Sequence, residues 1–286
     1  MAELQFRGLD GIRLAASGFG REQDPVVLFL HGGGQTRHSW KRSAQMVAEA
    51  GYYAITLDGR GHGDSAWCPH GHYQLNHFLG DLRCISNSLG RAVHLVGASL
   101  GGLTSLLLAS EAQEKRVRSL VLVDVAATVQ KAGVDRVIAF MEQYPDGFDS
   151  LEAVSQAIGT YLPHRRGPKQ KENLHRVVRQ RENGRYYWHW DPAFLTGKGK
   201  PEREKGAEQV RRRLEDAARG TTVPVLLLRG AMSDVVSKED VEYFQSLVPQ
   251  AESLDVSAAG HMVAGDQNDR FSEFLIDFIK RQSERA

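Results

Sequence analysis

Ser99, Asp234 and His261 have the side chains and the settings that acyl-transfer chemistry needs. Ser99 lies in Gly97-Ala98-Ser99-Leu100-Gly101-Gly102, a G-x-S-x-G turn that follows an apolar run and opens a helix-like stretch. In such a turn the serine takes strained backbone angles, and side chains two residues away on either side would collide, so Gly97 and Gly101 have a steric reason to be glycine. A helix beginning there aims its positive end and the Leu100 N–H at an oxyanion. A serine hydroxyl is a poor nucleophile at neutral pH, so a base must take its proton and a third group must orient the base. His261, in Ala259-Gly260-His261-Met262 just before the terminal helical stretch, is the expected base. Asp234, in the loop after the run Val225–Leu228, is the expected acid. Asp124 competes for that role, because it directly follows Leu120–Val123 at another strand end. Asp255 falls within a strand and Asp266 beyond the histidine, which makes both weaker. A second oxyanion N–H is expected from His31-Gly32-Gly33-Gly34-Gln35, where consecutive glycines leave the backbone amides unobstructed. Gly33 is the expected donor and Gly34 its competitor.

The elements that must hold these residues are legible as apolar runs ending in glycine-rich turns. Val26–Leu30, Ala54–Leu57, Val93–Val96 and Leu120–Val123 are continuously apolar, as buried parallel strands are, and helix-like stretches (Ser39–Ala50, Asn76–Leu89, Leu100–Glu114) separate them. Repeated strand–helix units predict a doubly wound, mostly parallel sheet. Val225–Leu228, Lys238–Leu247, Ser253–Val256 and Arg270–Arg281 resume the alternation near the C-terminus. Leu4–Phe19 alternates in short segments around Asp10-Gly11, a hairpin dipeptide, and predicts an antiparallel N-terminal edge. Residues 128–222 carry breakers at Pro145, Pro163, Pro168, Pro192 and Pro201 and no comparable strands, so they read as a mostly helical insertion between core segments 1–127 and 223–286. Both Asp234 and His261 then fall beyond C-terminal strand ends, where open α/β sheets place their sites.

Composition narrows the function classes. Hydrophobic residues make up 41% and charged residues 25%, with 36 Lys plus Arg against 35 Asp plus Glu, which favours neither disorder nor a nucleic-acid partner. Cys68 and Cys84 are too few for a disulfide framework and are expected to be reduced. Met1–Asp10 has no continuous apolar stretch and no run of about 18 apolar residues occurs, so a cytoplasmic protein without membrane attachment is expected.

Several other patterns compete. Gly61-His62-Gly63-Asp64-Ser65-Ala66 fits G-x-G-x-x-A, with Asp81 twenty residues beyond Gly61, but Pro69 and Gly71 interrupt the helix that a dinucleotide site requires. His70, His72 and His77 lack partners at metal-ligand spacing, so no metal is expected. Arg165–Arg185 is basic and suits a solvated helix face better than an anion site. Trp188 and Trp190, within Tyr186-Tyr187-Trp188-His189-Trp190, suit either the core of the insertion or an apolar pocket wall.

With these motifs, the chain resembles the α/β-hydrolase superfamily, in particular its lid-bearing esterase, lactonase and C–C hydrolase group. The resemblance covers nearly all of the core. It is carried by His31-Gly32-Gly33, Asp58-Gly59-Arg60-Gly61-His62-Gly63-Asp64-Ser65, Gly97-Ala98-Ser99-Leu100-Gly101, the Asp234 loop and Gly260-His261. It implies an α/β-hydrolase fold, the order Ser99, Asp234, His261, backbone donors at Gly33 and Leu100, and a cap between the sixth and seventh sheet strands. No metal or organic cofactor is implied. Asp58–Ser65 looks like a D-x-R-G-x-G-x-S loop that flanks the pocket and is usually structural. Serine at the elbow sets the chain apart from haloalkane dehalogenases and soluble epoxide hydrolases, which carry aspartate there. Gly32–Gly34 departs from members with a bulkier third residue, which leaves the donor open between Gly33 and Gly34. The implied activity is carboxylesterase-like hydrolysis of a small, largely apolar substrate. C–C bond or lactone hydrolysis by the same triad is the alternative, and a non-enzymatic small-molecule receptor is a third reading.

Overall fold

The continuous apolar runs become the centre of a sheet. In the computed structural model, which describes residues 1–111, 116–161, 174–196, 203–256 and 269–284, β3 (Val26–Leu30), β4 (Tyr53–Leu57), β5 (Val93–Ala98) and β9 (Val225–Gly230) are buried at every position. β6 (Val117–Val123) is buried except at Arg118. β1 (Ala2–Arg7) and β10 (Glu252–Val256) form the two edges, and β2 (Arg13–Phe19) lies between β1 and β4. The eight strands run in the order β1-β2-β4-β3-β5-β6-β9-β10. Only β1–β2 and β2–β4 pair antiparallel, and Asp10 (φ 59°) and Gly11 (φ 72°) make the tight turn expected between the first two strands.

Helices cover both faces, because successive strand residues point to opposite sides. Val26, Leu28 and Leu30 join α2 (Leu75–Leu89), α3 (Leu100–Ala109) and α8 (Lys238–Leu247) in one core cluster. Val27 and Phe29 join α1 (Lys41–Glu49) and α9 (Asp269–Ser283) in the other. No helix among the described residues is long and apolar enough to cross a membrane.

The insertion contains α4 (Lys131–Glu142), α5 (Leu151–Tyr161), the short α6 (Ala193–Thr196) and α7 (Arg203–Gly220). It also contains an antiparallel hairpin, β7 (Val178–Gln180) and β8 (Tyr186–Trp188), that the sequence does not predict. Strands of three residues are too short to show a two-residue period. Met141, Phe148, Val154, Leu174 and Trp188 belong to a separate core in the insertion. α7 differs from the rest of the 128–222 segment: Leu214, Ala217 and Ala218 bury into the main core cluster, which also holds Leu106 and Leu107 of α3.

Candidate active site

The turn between β5 and α3 stores the strain that its motif predicts. Ser99 has φ 45° and ψ −118°, outside the regions that side-chain-bearing residues favour, and stands immediately before the first turn of α3. A β-carbon on Gly97 would lie 2.5 Å from the Gly101 carbonyl carbon, and one on Gly101 would lie 2.5 Å from the Leu30 oxygen. Both glycines are therefore steric requirements of the turn. The Ser99 N–H donates to Val123 O at 3.4 Å, which ties the serine to the end of β6. Leu100 is the first residue of α3, and the first N–H groups of a helix have no partner within it.

The loop after β3 lies against this serine, since a β-carbon on Gly32 would sit 3.2 Å from Ser99 Cβ. Its amides are not equivalent. The Gly32 N–H donates to Gln35 Oε1 at 3.0 Å and the Gly34 N–H to His62 Nε2 at 3.1 Å. The Gly33 N–H has no partner among the described residues. Gly32 O accepts from His31 Nδ1 at 2.7 Å and from the Gln35 N–H at 3.1 Å. Because the peptide is trans, its C=O and N–H point in opposite directions, so these two bonds turn the Gly33 N–H away from them.

The two candidate acids have different surroundings. Asp124 follows β6, is fully buried and has φ 50°. Its Oδ1 accepts from the Gly230 N–H at 2.9 Å and its Oδ2 from the Ser233 hydroxyl at 2.6 Å. Ser233 itself accepts from the N–H groups of Val235 and Val236, each at 3.1 Å, so the hydroxyl is held in place. Asp234 is about one-third exposed, and its Oδ2 lies 2.6 Å from Arg136 of α4. His261 lies outside the described residues.

The Asp58–Ser65 loop is fixed by charge and in turn fixes the glycine loop. Asp58 accepts from the Arg37 N–H at 2.6 Å and from the Arg37 guanidinium, which also reaches Asp64 at 2.7 Å. Arg60 makes a two-point bond to Asp81, each contact 2.7 Å. Asp81, the residue a dinucleotide ribose would need, is thus occupied by Arg60. His31, His62 and His94 are buried neutral, and desolvation pushes them down to about 4, about 3 and about 4; burial likewise holds His189 well below the ordinary imidazole value. The unfolded chain binds protons near 6.5 that these folded rings refuse, so stability present above 6.5 is lost as pH falls toward 4. Melting temperature is expected to drop by roughly 5 °C or more between pH 7 and pH 4.5. A flat profile over that range would show that the rings protonate in place without cost.

From the insertion, Met141 and Phe194 reach the glycine loop: a β-carbon on Gly34 would lie 3.0 Å from Met141 Cε, and one on Gly33 would lie 3.4 Å from Phe194 Cζ. The sequence offers no signal for either, since each lies in a short apolar stretch (Val137–Met141, Ala193–Leu195) that shows no more than a buried helix face. Trp188 and Trp190 stack on each other at 4.9 Å and are buried within the core of the insertion. Of the basic stretch 165–185, residues 165–173 lie outside the described residues, and the part from Val178 onward forms the hairpin, where the sequence suggested a solvated helix face. Arg179 meets Asp64 at 2.6 Å, Arg185 meets Asp149, and Arg181 covers the Tyr187 ring. His72 stacks on His77 at 4.7 Å, and no group of His, Cys, Asp or Glu among the described residues is arranged to hold a metal ion.

The chain is similar to several known proteins. A sequence model of the alpha/beta hydrolase fold matches residues 25–266. An esterase of Mycobacterium tuberculosis is 28% identical, covering 85% of this chain and 78% of its own. A 2-(acetamidomethylene)succinate hydrolase of Mesorhizobium japonicum is 28% identical, covering 84% and 82%. A crystal structure of an E-2-(acetamidomethylene)succinate hydrolase superposes with a TM-score of 0.83 at 22% identity, covering 98% of this chain and 99% of that one.

Proposed function

We propose, on the premise that the chain belongs to the alpha/beta hydrolase fold family, that it is a serine hydrolase cleaving a carboxylic ester of a small, largely apolar substrate through an acyl-enzyme on Ser99. The observation that carries this reading is the strained Ser99 backbone at the start of α3, with the Gly33 N–H, which has no partner among the described residues, on the loop packed against it. The esterase relative supports the ester as substrate class.

In this reading Ser99 Oγ attacks the carbonyl carbon while His261 takes its proton. The Gly33 and Leu100 N–H groups stabilise the oxyanion of the tetrahedral intermediate. His261 then protonates the leaving alkoxide, and later takes a proton from the water that releases the acid. For the acid that orients His261, motif order favours Asp234. Burial and fixed hydrogen bonds favour Asp124, which we adopt. Met141 and Phe194 supply an apolar roof, which suits a small uncharged acyl or alkyl group.

Labelling by a fluorophosphonate probe, followed by turnover of a panel of esters, lactones and vinylogous diketones, tests the assignment. Stoichiometric labelling and fastest turnover of short-chain aryl esters are expected. Turnover of diketones without esters would move the chain to C–C hydrolysis, and tight ligand binding without any turnover would make it a receptor.

A further inference from the structure

The glycine loop that carries the Gly33 amide is braced by three histidine rings, and one of them comes from the insertion. Backbone N–H groups only donate and backbone oxygens only accept, so the role of each ring nitrogen follows from its partner. His31 accepts from the Gly59 N–H at 3.0 Å and donates to Gly32 O at 2.7 Å. His62 accepts from the Gly34 N–H at 3.1 Å and donates to Arg60 O at 2.9 Å. His189, just after β8, accepts from the Gly63 N–H at 2.8 Å and donates through Nε2 to Gly34 O at 3.3 Å. Both backbone groups of Gly34, which has φ 74°, are therefore held by histidine side chains. His31 and His62 sit in the core, whereas the His189 bond holds only while the insertion is docked.

The docking is built to last at this point. The Asp191 N–H donates to Gly61 O at 2.8 Å, and Tyr73 donates its hydroxyl proton to the Asp191 carboxylate at 2.5 Å. Phe194 then covers Gly33 and meets the His62 ring edge-on at 4.8 Å. His189 is only 1% exposed, and its ring is neutral because burial disfavours the imidazolium, so it keeps one accepting and one donating nitrogen across the working pH range.

We propose that His189 is a positioning residue for the oxyanion hole: by holding Gly34 O it fixes the Gly34–Gln35 peptide, two peptide units along from the one that carries the Gly33 N–H, while His62 holds the peptide between them, so the insertion sets the rate of the chemical step as well as substrate choice. This rests on the reading of Gly33 as an oxyanion donor. A preorganised donor stabilises charge that appears only in the transition state, so loosening it lowers kcat with little effect on KM.

Two substitutions separate the bond from the bulk. His189→Phe keeps a buried ring but cannot bond to Gly63 or Gly34, and His189→Gln keeps one accepting and one donating group. With a short-chain aryl ester, His189→Phe is expected to lower kcat at least tenfold with KM within about threefold. It is also expected to weaken inhibition by a boronic acid, which mimics the tetrahedral intermediate, by a similar factor. His189→Gln is expected to recover most of the loss. A His189→Phe enzyme with unchanged kcat, a rise in KM alone, or equal losses in both variants would overturn the inference. Wild-type enzyme that neither labels at Ser99 nor turns over any ester would instead overturn the functional reading beneath it.

Discussion

Ser99→Ala is expected to lower kcat for an aryl ester by a factor on the order of 10⁴–10⁶ and to abolish fluorophosphonate labelling, while the protein stays folded. Only the hydroxyl is removed, and alanine tolerates the elbow no worse than serine, since the steric load of the turn falls on Gly97 and Gly101. His261→Ala is expected to cost a similar factor, because a nucleophile and its base act as one unit and their losses do not add. Residual turnover then reports what the Gly33 and Leu100 amides and the pocket do unaided. Labelling of Ser99→Ala at full stoichiometry would remove Ser99 from the mechanism.

The second large effect separates the two carboxylates. Asp124→Asn is expected to reduce kcat by roughly 10³–10⁴, the scale of leaving a catalytic imidazole in the wrong tautomer. Asp234→Asn is expected to change it by less than about fivefold. The expectation follows from surroundings. Asp124 is fully buried, next in sequence to Val123, whose oxygen holds the Ser99 N–H, and is braced by Gly230 and Ser233. Asp234 is partly exposed, and its carboxylate is turned to Arg136. An acid that orients a histidine must itself be fixed, and a solvent-screened ion pair to an exposed guanidinium fixes it poorly. Melting curves taken beside the kinetics distinguish lost chemistry from lost folding. If Asp234→Asn is the inactive protein and Asp124→Asn the active one, motif order was the better guide.

The strand centres were legible because parallel strands buried on both faces must be apolar without interruption. Val26–Leu30 has the bounds its sequence predicts, and β5 and β6 extend their predicted runs by two and three residues. The β7–β8 hairpin was not legible, since its pairing depends on three residues a side and on the bridge between Phe148 and Tyr186. Nor does the run Tyr186–Trp190 reveal by composition that its tryptophans stack inside the insertion while the histidine between them reaches the glycine loop. Alternation along an extended chain sends neighbours to opposite sides, and only the docked position of the hairpin says what each side meets.

By itself the sequence determined the elbow. The need for glycine at 97 and 101 and the strain at Ser99 come from atoms within a few residues of one another and from the backbone of the adjacent strand, so a local motif suffices. Tertiary structure decided which amide beside it has no partner among the described residues and which carboxylate is buried and braced. The Gly34 N–H is taken up by His62, 28 residues away in sequence, and its oxygen is held by His189, 155 residues away. Asp124 is braced across 106 residues by Gly230. A hydrogen bond has no preferred separation along the chain, and its partners become known only when the fold has placed them within 3 Å or so of each other.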